Sequence, residues 1–366
     1  MGKISVVRPS MPPIEEYINE IQDIWESRWL THTGPKHQKL SKELAAFLDV
    51  QEISLFSNGH QALEAALSCF PTGAEVVTSP FTFASTTMAI VRSGLVPVFC
   101  DIEPEFYTID PEKIESLITE KTVAILPIHV YGNLCDWRTI KSIADRYDLK
   151  VIYDAAHAFG VKDGEISAAS LGDLSMFSFH ATKVFHTIEG GCIAHNNPDL
   201  AKYFAAWRQF GMFDGEQSEI IGTNAKLTEF AAAMGLCNLR HIDEQISLRK
   251  TAVMRYRERL CRKEGLVLCE EQPGVKSNYA YFPIRIVTDR FGVDRNTVVD
   301  KLAEKQILAR KYFYPLTSAF PAFQKMYKIQ ETPIAKEIAD QILCLPLYSD
   351  LSIQDVDLIC DIILKL

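Results

Sequence analysis

Between residues 50 and 200 the chain repeats one pattern, a short continuous apolar run followed by a helix-like stretch, about every 25 residues. The runs are Glu75–Thr78, Val96–Phe99, Val123–Leu126, Val151–Tyr153 and Leu174–Phe177. None alternates polar with apolar residues, so each reads as a strand buried on both faces. Strands of that kind separated by helical crossovers make a mainly parallel sheet, and sandwiches are excluded. Open parallel sheets hold their ligands beyond the carboxyl ends of the strands. The residues placed there are Ser79-Pro80-Phe81, His129, Asp154 with His157, and Ser178 with His180.

From about Lys226 to Arg262 the pattern turns helical and long. A strand-like Phe282–Val287 and an amphipathic 296–306 segment follow, which predicts a smaller α+β domain after the large one. The spacing puts the division near 245, giving a large domain over 1–245 and a small one over 246–366. Ser352-Ile353-Gln354-Asp355 reads as the capped start of a last amphipathic helix. A chain of 366 residues has room for such a pair of cores. Its net charge of −9 argues against a nucleic-acid partner, because phosphate-backbone attraction needs a basic surface. No apolar stretch approaches a membrane span and the amino terminus lacks a signal-peptide core, so no membrane association is expected. Nine cysteines stand singly, without disulfide or zinc spacing, and a reducing cytoplasm is the expected location.

No G-x-G-x-x-G follows a strand and no Walker lysine loop is present, so dinucleotide and P-loop chemistry are not expected. Three other features stand out, each with a structural alternative. Ser57-Asn58-Gly59-His60-Gln61 is a small-residue turn running into a strong helix former, where free N–H groups and a positive dipole end suit a phosphate; a plain capped helix has the same look. Asp154 follows a buried strand with almost no polar company and needs a cationic or hydrogen-bonding partner, or is simply a helix N-cap. Lys183 sits beside Val184 and Phe185, where burial lowers an amine's pKa, although most lysines lie along the surface with the charge in water. His157, His180, His186 and His195 form no H-x-x-x-H pair, so no metal is expected, and Ser178 lacks a hydrolase elbow.

Together the three features supply what pyridoxal 5'-phosphate (PLP) requires: an anchor for phosphate, an anion for the pyridinium nitrogen and an amine for the aldehyde. Their order is that of a fold-type I, aspartate aminotransferase-like enzyme. The chain resembles the DegT/StrS-type sugar aminotransferases from end to end, through Trp29–Pro35, Pro80–Phe83, His129–Asn133, Asp154–His157, Ser178–Gly191, Gly222–Glu229 and Leu343–Tyr348. The resemblance implies that Lys183 is the amine that takes the aldehyde, Asp154 the pyridinium partner, and His157 the residue packed at the ring. It implies phosphate contacts from Gly59, His60 and Ser178, ring stacking by Phe83, and an Asn224 that reaches the phosphate of the partner's cofactor in a homodimer. Two departures are visible: His60 stands where Thr is commoner, and Lys226 where Arg is frequent. The implied activity is transfer of an amino group from L-glutamate to a nucleotide-linked keto sugar.

Trp25, Arg28, Trp29, His32 and Lys36, with Arg310, Lys311, Tyr312, Phe313 and Tyr314 late in the chain, combine cations with aromatic faces, as a pyrophosphate carrying a stackable base requires, although an ordinary amphipathic surface has the same look; Trp29, Thr31, Lys226 and Tyr314 are the substrate candidates. Within the family the Trp29–Pro35 and Phe179–Gly191 segments look most like enzymes that aminate C-4 of dTDP-4-keto-6-deoxyglucose, giving the dTDP-4-amino-4,6-dideoxyglucose used in surface polysaccharides. Amination at C-3 and a non-catalytic PLP-binding regulator are the competing readings, and Lys183 argues against relatives that dehydrate with histidine at this position.

Overall fold

The computed structural model describes residues 2–366. Seven strands form the central sheet: β1 (Glu52–Phe56), β2 (Glu75–Thr78), β3 (Val96–Phe99), β4 (Thr122–Leu126), β5 (Lys150–Asp154), β6 (Leu174–Ser178) and β7 (Gly191–His195). Their order is β1-β7-β6-β5-β4-β2-β3. Strands β2 to β6 run parallel, and β7 alone is reversed, pairing antiparallel with β6 and with β1. The five expected runs are all strands of this sheet. Strands β1 and β7 are additional; the Cys192-Ile193-Ala194 centre of β7 has no β-branched run to announce it.

Alternate residues of one strand enter different hydrophobic clusters on the two faces. Val77, Ile125, Val151, Tyr153 and Phe177 pack in one, and Val76, Leu126, Ile152 and Met176 in the other. That double covering is why the runs are continuous rather than alternating. Helix α1 (Ile14–Ser27) packs against the later segment Glu229–Arg240, and α2 (Pro35–Leu48), α3 (Gly59–Leu67), α4 (Ala84–Arg92), α5 (Trp137–Tyr147) and α6 (Pro198–Trp207) connect and cover the strands.

The long helical stretch after Lys226 is two helices, α7 (Glu229–Arg240) and α8 (Ile242–Leu260), broken at His241 with φ −106° and ψ 2°. His241 Nε2 and Glu16 Oε2 lie 2.7 Å apart across to α1, which holds the break in place. A three-stranded antiparallel sheet follows, ordered Leu266–Leu268, Phe282–Ile286, Ile342–Leu345. Its core includes Tyr256 of α8 stacked on Phe282 at 4.7 Å, Val298 of α9 (Arg295–Glu304) and Ile359 of the terminal helix Ile353–Leu364. Ile4 joins this second core, bonded by its N–H to Gln306 O and by its carbonyl to Leu308 N. Ser352 caps the terminal helix as expected, its Oγ accepting the Asp355 N–H at 3.1 Å. Among the described residues no helix is long and apolar enough to cross a membrane.

Candidate active site

The register of the sheet lines up three site positions. Gly191 opens β7 and pairs on one side with Phe56, the last residue of β1, and on the other with Ser178, the last of β6. One strand further on, Asp154 ends β5 and pairs with Met176. The carboxyl edge therefore carries Ser178, Gly191, Asp154 and the Ser57–Gly59 turn side by side.

Helix α3 begins at that edge. Asn58 caps it by accepting the Gln61 N–H at 2.8 Å, leaving the N–H groups of Gly59 and His60 in the first turn without intrahelical acceptors. Close approach requires glycine here: a Cβ on Gly59 would stand 2.8 Å from Ser178 Cβ, and one on Gly191 would stand 2.5 Å from Gly59 N. The free first-turn N–H groups thus lie against Ser178 and Gly191 with no side chain of their own between, which suits a phosphate. The His60 imidazole leans away from the helix end, with Nδ1 at 2.9 Å from Ser85 Oγ and Nε2 at 3.4 Å from Glu64 Oε1.

Asp154 is buried, and the sequence contained no hint of what satisfies it. Thr86 of α4 donates its hydroxyl to Oδ2 at 2.7 Å, and the Ala156 N–H donates to Oδ1 at 3.1 Å. Thr82 Oγ1 lies 2.8 Å from Thr86 Oγ1 and continues the chain. Burial raises the pKa of Asp154, while Thr86, the Ala156 N–H and the charge of Lys183 act against that rise. The same carboxylate favours the ammonium of Lys183, but burial prevails and lowers that amine to about 8. The pair therefore combines a shielded carboxylate with an amine that gives up its proton well below the ordinary lysine range.

His157 is buried, with its Nδ1 accepting the Tyr131 N–H at 3.1 Å and its ring against Tyr281 at 4.7 Å and parallel to Phe313 at 5.9 Å. Burial, then the charge of Lys183, holds it neutral. The other three histidines of this stretch have separate surroundings: His180 beside Thr182, His186 against Ser10 O, and His195 beside Ser54. Phe83 precedes α4 and is 58% exposed.

Asn224 is exposed and accepts from Lys226 Nζ at 2.6 Å, and that ammonium also lies over the Phe210 ring. Tyr314, half exposed, lies under the Arg295 guanidinium at 4.8 Å. Trp29 is exposed and Thr31 half-buried in the loop between α1 and α2. The geometry joins Gly59, Ser178, Asp154 and Lys183 in one neighbourhood; Asn224 and Lys226 border it, flanking buried Ala225, whose carbonyl accepts the Ser57 N–H at 2.8 Å, whereas Trp29, Thr31 and Tyr314 sit on other segments of the surface.

A seven-stranded sheet of this order, with a lysine loop after β6 and an aspartate ending β5, defines an aspartate aminotransferase-like α/β protein. The chain belongs to the DegT/DnrJ/EryC1/StrS aminotransferase family, which it matches over residues 13–364. The dTDP-4-amino-4,6-dideoxy-D-glucose transaminase of Shigella dysenteriae is 42% identical over 349 residues, 95% of each chain. DesI, solved in the presence of its TDP-sugar product, superposes with a TM-score of 0.94 at 29% identity, covering 99% of this chain and 92% of that one. Spr1654 of Streptococcus pneumoniae, solved in its PLP form, superposes at 0.91 with 24% identity over 100% and 98% of the two chains. The family is PLP-dependent, and the chain is a nucleotide-sugar aminotransferase.

Proposed function

We propose that this chain binds PLP and transfers the amino group of L-glutamate to dTDP-4-keto-6-deoxyglucose, forming 2-oxoglutarate and dTDP-4-amino-4,6-dideoxyglucose. The observation that carries the PLP reading is the Asp154–Lys183 pair beside a glycine-bounded helix start. The 42% identity to a transaminase named for this sugar supports the substrate. Gly59 and His60 would hold the cofactor phosphate through main-chain N–H groups, with Ser178 adding its hydroxyl. Asp154, fixed by Thr86, would accept from the pyridinium N–H, with His157 and Phe83 packed at the ring. Bound there, PLP supplies the aldehyde for amine exchange and a ring that takes up electrons. Lys183 Nζ is the mobile base: it removes the proton from the glutamate α-carbon and delivers a proton to C-4 of the sugar in the second half. Trp29, Thr31, Lys226 and Tyr314 are assigned to the sugar nucleotide.

We assign the active unit to a homodimer in which Asn224 of each subunit completes its partner's phosphate site. Ile221, 93% exposed, with exposed Phe210 and Phe213 nearby in sequence, supports an apolar covering for the Gly222–Asn224 segment. The division into 1–245 and 246–366 is supported by a second hydrophobic cluster drawn, apart from Ile4, from residues beyond 250, while another cluster spans the division by packing Phe81, Ile102 and Tyr131 with Phe313, Ile338 and Cys344. The nine free thiols suit a cytoplasmic location, and the amino sugar suits surface polysaccharide assembly.

The test is direct. The purified protein should absorb near about 400 nm and lose that band on adding glutamate. It should recover the band with the dTDP-linked 4-keto-6-deoxyhexose, with the product's amine located at C-4 by NMR. Amination of only a 3-keto sugar would overturn the C-4 reading, and a band indifferent to glutamate would favour a regulatory binding protein.

A further inference from the structure

The loop Arg28–Gly34 joins α1 to α2 and carries Trp29 and Thr31. Arg28, His32 and Thr33 all adopt positive φ, at 54°, 64° and 59°. Helix α2 starts after Gly34, which has no side chain with which to cap it. The cap comes from α7 instead. Glu229, its first residue, is 1% exposed, and its carboxylate accepts the Lys36 N–H at 2.7 Å and the His37 N–H at 3.0 Å. The Glu229 N–H in turn donates to Leu30 O at 3.0 Å.

Glu229 therefore grips the loop both near its beginning and at its end. Gly34 is pinched between two groups, since a Cβ there would lie 2.6 Å from Glu229 Cδ and 2.7 Å from Trp29 Cδ1. The Lys36 ammonium does not neutralise this carboxylate; it pairs with Glu20 and Asp23, each at 3.0 Å. The buried anion is instead held by main-chain N–H groups at the positive end of α2. At the far end of α7, Asn238 Nδ2 donates to His186 O at 2.9 Å, in the loop that carries Lys183. One helix thus holds both the Trp29–Thr31 loop and the lysine loop.

We propose that Glu229 is a positioning residue for the sugar-nucleotide half of the reaction: by capping α2 and holding Leu30, it sets Trp29 and Thr31 at a fixed place relative to the Lys183 loop. This rests on the reading that Trp29 and Thr31 meet the sugar nucleotide. Glutamate, a much smaller substrate, does not depend on that loop.

The two half-reactions of the holoenzyme separate this role from a merely structural one. In Glu229→Ala, glutamate should discharge the cofactor band at a rate within about twofold of wild type. Recovery with the dTDP-linked 4-keto sugar should fall about tenfold or more in kcat/KM, carried mainly by KM. Glu229→Gln keeps one acceptor oxygen and should lie between the two, and it serves the same comparison if the alanine variant does not fold. Trypsin cleavage after Arg28 should accelerate in the same order. Equal losses in both halves, or no loss in the sugar half, would overturn the positioning role while leaving the aminotransferase reading intact. A wild-type protein that answers glutamate but no keto sugar nucleotide would overturn the substrate reading and this inference with it.

Discussion

At Lys183 burial and a neighbouring carboxylate act in opposite directions, and burial prevails, bringing the amine to about 8. An amine shifted that far has a useful neutral fraction near pH 7, which a nucleophile and proton carrier needs. The shift also has a consequence for stability. Between about 8 and the ordinary 10.5 the unfolded chain binds more protons at this residue than the folded one, so the apoprotein gains stability as pH rises through that window. Below it the full penalty is present. Lys183→Met removes the term, so wild type should gain up to about 2 kcal/mol on the variant between the two ends of that range, a value reduced for partial access to water. Urea denaturation of both apoproteins across this range checks the sign: a difference that shrinks or stays flat would place the amine in water. Lys183→Ala should fold and bind PLP but complete no turnover, and normal transamination in it would remove the assignment. Asp154→Asn should lower the rate by orders of magnitude while cofactor binding suffers less, since it removes the anion assigned above to the ring nitrogen. Stopped-flow traces with glutamate would separate the two effects.

The site's elements meet because small residues let them. Strand β7 passes so close to the start of α3 that a Cβ on Gly191 would strike main-chain atoms of Asn58 and Gly59. No side-chain rotation relieves a clash with backbone. Gly191→Ala should therefore displace the first turn of α3 and weaken PLP retention about tenfold or more, measured by equilibrium dialysis, with the far-UV spectrum unchanged. Retention equal to wild type would show that the phosphate lies elsewhere. The last helix offers a control remote from the site: Ser352→Ala removes an N-cap and should cost about 1 kcal/mol of stability without altering cofactor retention.

At the scale of the whole molecule, several large apolar side chains remain uncovered in one chain, among them Trp25, Ile14 and Met11 toward the amino terminus and Ile221 beside Asn224. A second copy of the chain would cover such surface and bring Asn224 to a neighbouring site. Mixing inactive Lys183→Ala with an inactive Asn224→Ala variant should restore part of the activity, because one site of each hybrid dimer would be intact. A fully active monomer by sedimentation at working concentration would refute the composite site.

What the chain determined locally was legible in it. Val76-Val77-Thr78 and Val151-Ile152-Tyr153 read as strands because residues buried on both faces leave a continuous apolar run, and parallel order then placed Asp154 and Ser178 at one edge. The lysine and the helix start were visible as residue types at characteristic places, and family resemblance joined them to a cofactor. Contacts between distant segments were not legible. Thr86 has no sequence signal tying it to Asp154, Glu229 none tying it to Gly34, and β7 none announcing a reversed strand. The division of the long helical stretch at His241, whose imidazole meets Glu16 across the fold, likewise had no signal in the periodicity. Periodicity and capping act over a few residues of chain, so the sequence determined the elements and the chemistry available at their ends. Which carboxylate meets which N–H depends on how those elements pack, and only the tertiary structure decided it.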